Sequence, residues 1–209
     1  MKNFYFMQVT LSWLAEPRHF NRLFAITLRA VGVLVVPASL VAFFKAGKVI
    51  FNLPASGILG GILFQLFFIA AIYGVVHGLF IRARDIDALP GGDYNMFPLA
   101  AVVTRAAGEA FAVFVALVTI GGGIFVWFTG RGVNTILTPL PGFLPVFGDT
   151  TFMGGIQFMV GGVLSAILVL GLAYLAAEAL RWAGDAAARH GEGRRPAEVP
   201  YKLRSGTGN

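Results

Sequence analysis

The chain has 209 residues, of which 57% are hydrophobic and 12% charged, with a net charge of +6 and a mean hydropathy of +0.77. A soluble domain carries about 25% charged residues, so this chain has too little polar surface to cover a water-soluble globule, and its composition belongs to a bilayer. The absence of cysteine excludes disulfides, thiolate-ligated zinc, iron–sulfur clusters and thiol catalysis.

Residues 1–17 open with Phe4, Met7, Leu11 and Leu14 on one helical face, with Trp13 and Tyr5 nearby and Pro17 at the end. This pattern predicts an amphipathic helix lying in the membrane interface. Residues 18–184 then hold four apolar stretches, each about as long as the 20-residue helix that crosses a hydrocarbon core. The first span is expected at 23–44, with Arg29 as its only strong charge. It follows a long charged segment, exceeds the 7 to 15 residues of a signal-peptide core and precedes no small-residue cleavage site, so it is expected to remain as a permanent helix. The second span, 57–81, contains Gln65 and His77.

Residues 82–98 read as a polar loop broken by Pro90, Gly91 and Gly92. Its aspartates do not make a calcium loop, because Leu89 and Pro90 occupy the positions where that motif needs an oxygen ligand and a glycine. The third span, 106–129, contains Glu109 near its start and Gly121-Gly122-Gly123 in its second half, where three weak helix formers predict a kink. The connection 130–151 is apolar but carries Pro139, Pro141 and Pro145, so it cannot be a regular helix; contact with lipid or with a neighbouring subunit is expected. The fourth span, 152–180, holds Gln157 and Glu178, and residues 185–209 have the composition of a flexible tail. The expected fold is an all-α integral membrane protein of four transmembrane helices, since each span must satisfy its own backbone in lipid.

Twelve lysines and arginines flank the spans on the side of the two termini, against three on the other side. The positive-inside bias therefore places both termini in the cytoplasm of a bacterial-type inner membrane. Topology accounts for the basic balance, with anionic lipid headgroups rather than nucleic acid as counter-charge.

A weak repeat joins the two halves. Arg29-Ala30-Val31-Gly32 stands beside Arg105-Ala106-Ala107-Gly108 at the start of each outgoing helix, and Gly60-Gly61-Ile62-Leu63-Phe64 beside Gly154-Gly155-Ile156-Gln157-Phe158 at the start of each return. This suggests two repeated helical hairpins of the same orientation. Pairs of small residues, Gly57 with Gly61, Gly74 with Gly78, Gly154 with Gly161 and likewise Gly155 with Gly162, are spaced for close helix contact, either within the bundle or in a homo-oligomer.

Ionisable groups inside a membrane are the first place to look for function. Arg29, His77, Arg105, Glu109 and Glu178 fall at similar depth near the cytoplasmic side and form an expected polar belt, in which Arg105 pairs with Glu109 and Arg29 meets Glu178 or Glu109. Gln65 and Gln157 lie deeper, as interhelical hydrogen-bond partners. There is no GxSxG, HExxH or phosphate-binding loop, and the three histidines are too scattered to ligate a metal. No catalytic residue, cofactor or metal is expected. The expected role is a non-enzymatic accessory, scaffold or assembly subunit of a membrane complex. The alternative is a small oligomeric channel or transporter, its pore lined by glycines, Gln65, Gln157 and the belt.

The cysteine-free background makes the topology directly testable. A single cysteine at Ser56 or Thr138 should react with an impermeant reagent from outside the cell, and one at Asn95 or Ser205 should not; the reverse pattern would overturn the orientation.

Overall fold

A computed structural model describes residues 17–89, 96–136 and 150–192. It contains four long α-helices: α1 (Pro17–Ile50), α2 (Ala55–Asp87), α3 (Met96–Thr129) and α4 (Phe152–Glu192), with a short 3-10 turn (Val133–Thr135) after α3. No strand occurs among the described residues. All four helices are long and apolar enough to cross a membrane. The expected interfacial helix at 1–17 lies almost wholly outside the described residues, as does most of the connection 130–151.

Every helix outruns the span that hydropathy assigns to it. With 33 to 41 residues, each extends about 50 Å or more at 1.5 Å per residue, against a hydrocarbon core of about 30 Å. Residues 82–87, assigned to the polar loop, are the last turns of α2, and residues 96–98 open α3. Residues 185–192, assigned to the tail, continue α4, where Ala186, Ala187 and Ala188 are the strongest helix formers available. Hydropathy marks where the apolar stretch of a helix ends. It does not mark where the helix stops.

The helices pack chiefly on their chain neighbours: α1 on α2, α2 on α3, and α3 on α4. The result is a row in which α2 and α3 are the inner helices, α3 the most buried, and α1 and α4 form the flanks. A main core joins Ile50 of α1, Phe64 and Phe68 of α2, Val115, Val118 and Phe125 of α3, and Phe158 and Ala166 of α4. A second cluster closes the other end, with Ala25, Ala83, Ile86, Leu99 and Val102 buried together beneath Phe20 and Phe24.

Glycine is what lets the row close up. Gly121, Gly122 and Gly123 sit buried within α3 and face neighbours on two sides. Gly121 accommodates Phe67 of α2, while Gly122 faces Phe158 and Gly123 faces Met159 and Gly155 of α4. A Cβ on Gly123 would lie 2.7 Å from the carbonyl oxygen of Gly155, a distance that no side chain can hold. Gly162 likewise receives the buried Thr119, and Gly108 receives Ala173. Trp127 completes this seam, donating its indole N–H to the Phe152 carbonyl at 2.9 Å and stacking on the Phe152 ring.

The glycines singled out by spacing divide. Gly61 fits against Ile50, Gly57 against Leu53 and Gly74 against Val113, whereas Gly78 faces open space. Of the two pairs on α4, Gly155 and Gly162 make the contacts with α3, while Gly154 is buried and Gly161 half-buried. Gly162→Ala and Gly61→Ala should therefore each lower stability by about 1–3 kcal/mol through overpacking. Gly78→Ala should be neutral or stabilising by up to about 1 kcal/mol, since alanine is the better helix former. Thermal unfolding of the detergent-solubilised variants checks the contrast, and equal losses at all three positions would refute it.

Candidate functional site

Apart from Lys45 and Lys48 near the end of α1, the arginines and carboxylates of the four helices lie toward the end of the row that holds the start of α1. They form a ladder with one rung between each pair of chain neighbours. In the first rung, the Arg29 guanidinium of α1 pairs with the Asp87 carboxylate of α2, both about one-third exposed.

The middle rung is the most elaborate. Arg82 of α2 grips Glu109 of α3 with two nitrogens, its Nε donating to Oε2 at 2.8 Å and its Nη2 donating to Oε1. The remaining terminal nitrogen of Arg82 donates to Asp85, one turn along α2, at 2.7 Å. Tyr174 of α4 donates its hydroxyl to Oε1 of the same Glu109, and lies 3.4 Å from Arg82 Nη2. Three helices thus meet at one carboxylate. A bidentate pair of this kind fixes orientation as well as distance, because the planar fork of the guanidinium matches the two carboxylate oxygens. Both side chains are about four-fifths buried, so neither is left to water.

In the third rung, Arg105 of α3 reaches Glu178 of α4 at 3.0 Å, and Arg181 stands 3.9 Å from the same carboxylate. Arg105 also lies over the face of the Tyr174 ring, 5.1 Å from its centre, where the negative ring face attracts the cation. Tyr174 therefore serves two rungs at once, through its hydroxyl and through its ring.

Of the expected belt, Arg29, Arg105, Glu109 and Glu178 all take part, but with different partners. Arg105 pairs across helices with Glu178 rather than along α3 with Glu109, and Arg29 pairs with Asp87 rather than with Glu109 or Glu178. The reason is the extension of α2, which delivers Arg82, Asp85 and Asp87 to the belt in rigid helical positions. His77 lies on the exposed side of α2, stacked on Tyr73 with ring centres 5.7 Å apart, away from the ladder. Gln65 does bridge helices, donating to the Phe43 carbonyl of α1 at 3.3 Å, while Gln157 is on an exposed face of α4. Sequence reasoning missed Arg82, Asp85, Asp87 and Tyr174. The signal that could have found them is the i,i+3 pairing of Arg82 with Asp85, which favours continued helix past the hydropathy boundary.

No cluster of three or more metal-ligating side chains occurs among the described residues. Chemically, the arrangement neutralises charge and locks helices together. Glu109, the most enclosed carboxylate of the ladder, accepts from both helices that flank its own, from Arg82 of α2 and Tyr174 of α4. Compared with protein-family models, curated proteins and solved structures, the chain matches none.

The ladder predicts specific couplings. Removing either member of the middle rung strands a largely enclosed charge, so Arg82→Ala and Glu109→Ala should each cost about 3 kcal/mol or more, and the double variant should recover about 1–3 kcal/mol of their sum. Arg29→Ala and Glu109→Ala, which share no partner, should add. Denaturation in detergent of the three single and two double variants measures both couplings; additivity for Arg82 with Glu109 would refute the rung.

Proposed function

We propose that this chain is a non-enzymatic inner-membrane protein with both termini in the cytoplasm, acting as an accessory, scaffold or assembly subunit of a membrane complex. The observation that carries this reading is the division of labour between the ladder and the flanks. The charged groups that hydrocarbon would penalise most are spent on joining one helix to the next. The two outer helices keep long apolar faces uncovered, with Leu34, Val41 and Phe44 on α1 and Leu164, Leu168 and Leu175 on α4. A row with two such flanks is built to be extended sideways, by a second copy or by another membrane subunit, with anionic lipid headgroups balancing its basic ends.

The duplicated-hairpin reading belongs to the same proposal, and two observations support it. Arg29 and Arg105, the matched arginines of the two outgoing helices, each pair with an acid on the returning helix of the same hairpin. The glycines matched beside them, Gly32 and Gly108, each pack on that returning helix, against Phe80 and Ala173. The middle rung then reads as the bolt between two similar hairpins.

Purification in mild detergent followed by native mass measurement tests the role. The particle should exceed the 22.3 kDa of one chain, and Leu168→Ala with Leu172→Ala on the α4 flank should return it toward that mass without unfolding it. Reproducible ion flux by the purified chain in proteoliposomes, lost in Glu109→Gln, would overturn the scaffold in favour of a channel.

A further inference from the structure

The seam between α1 and α2 is sealed at two levels and open between them. Toward the charged end, Gly32 of α1 sits against the Phe80 ring; toward the other end, Gln65 holds the Phe43 carbonyl and Gly61 receives Ile50. Between these closures lies a groove of about 270 Å³, almost wholly apolar, where Val36, Ser39 and Leu40 face Ile69, Ile72 and Tyr73. Pro37 sits in this stretch of α1, where its missing N–H forfeits the helix bond to the Val33 carbonyl. The groove opens on the uncovered side of the row.

The same side carries charge nearer the helix ends. Helical spacing puts Arg22, Arg29, Val36 and Leu40 on one stripe of α1, and Ile69, Tyr73, Phe80, Arg84 and Asp87 on one stripe of α2. Toward the end that holds the start of α1, the two stripes carry three arginines and one aspartate, with Arg22 about 10 Å beyond the level of Arg29 and Asp87. Arg29 is spoken for by Asp87, but Arg22 and Arg84 are exposed and have no acidic partner among the described residues. From Arg29 to Val36 and Leu40 is about 10 to 16 Å along the helix, close to the depth of one leaflet, which is half of the roughly 30 Å core.

We propose that the α1–α2 seam is a binding site for one anionic phospholipid of the leaflet that contains Arg29. Its phosphate lies between Arg22 and Arg84, and one acyl chain lies in the groove. The combination is amphiphilic in the right order and at the right spacing, with uncompensated positive charge at the interface and a chain-sized apolar trough one leaflet deeper. The trough falls just below the roughly 300–1,000 Å³ of drug-sized pockets, which suits a single flexible chain. Anionic headgroups are the abundant counter-charge on the cytoplasmic face, and exposed arginines there attract them. The inference rests on the membrane placement proposed above and is independent of the scaffold role.

The test uses the full chain in nanodiscs of equal phosphatidylglycerol and phosphatidylcholine, released for native mass spectrometry, with carbonate-resistant membrane integration checked first. The wild type should keep one phosphatidylglycerol per chain, in roughly tenfold preference over phosphatidylcholine. Arg22→Gln with Arg84→Gln should bring the preference close to parity, and Ser39→Trp, which fills the groove, should abolish retention. Ile69→Phe serves as a second filling variant, and folding of each is confirmed by circular dichroism. Retention of both lipids equally by the wild type, an unchanged preference in the arginine variant, or undiminished retention in a folded groove-filled variant would each overturn the site. A chain that fails the integration check would instead count against the membrane placement.

Discussion

The grip of Arg82 on Glu109 is the interaction on which the rest of the arrangement depends. It is the rung between the two hairpins, and through Tyr174 it reaches α4 as well. Charges enclosed among apolar helices are tolerated only when each is matched, and the matching here is geometric: two nitrogens on two oxygens, a third nitrogen on Asp85, a phenol on the shared carboxylate. Apolar surface has little preference between one helix rotation and another when lipid is the competitor. An ion pair of fixed geometry does. The rung therefore sets the register of α2 against α3, and the glycine contacts further along the helices can close only in that register.

Those contacts supply what the charges cannot. Under the proposed membrane placement there is little hydrophobic drive between helices, and association depends on close packing. The α3–α4 seam achieves it by bringing backbones together at Gly123 and Gly155 and by seating Thr119 on Gly162, while Gly121 turns the opposite side of α3 toward Phe67 of α2. Helix α3 thus uses consecutive glycines to face two neighbours at one level. Thr119 satisfies its hydroxyl on the Val115 carbonyl of its own helix, so this buried polar group asks nothing of the seam.

Much of this was legible in the residues and some was not. Four apolar helices follow from stretch length and from the scarcity of charge, and Arg29, Arg105, Glu109 and Glu178 stand out because they interrupt those stretches. Their partners did not stand out, because Arg82, Asp85 and Asp87 sit just beyond the apolar run, where charge is ordinary and a loop is the default reading. Tyr174 was invisible for the opposite reason: in an apolar helix a tyrosine reads as bulk until its hydroxyl is seen to have a target. Gly121-Gly122-Gly123 read as a weakness because propensity scores a helix in isolation, whereas the neighbouring Phe67, Phe158 and Met159 make use of the space. Spacing on α4 found a glycine face but not which register of it meets α3, since Gly154 with Gly161 and Gly155 with Gly162 are equivalent until a partner chooses.

The row of neighbours also bears on how the chain comes together. Each helix meets chiefly the one before it and the one after, so almost every close contact joins segments near in the chain, and loop closure asks little entropy at any step. The first hairpin can form as soon as α2 has emerged, with Arg29 already answered by Asp87 before any later residue exists. Glu109 arrives next and finds Arg82 waiting. Tyr174 and Glu178 arrive last, and their hydroxyl and carboxylate go to Glu109 and Arg105, groups that α3 has carried in ahead of them. Charge is thus met in the order in which synthesis exposes it, and the architecture doubles as an assembly sequence.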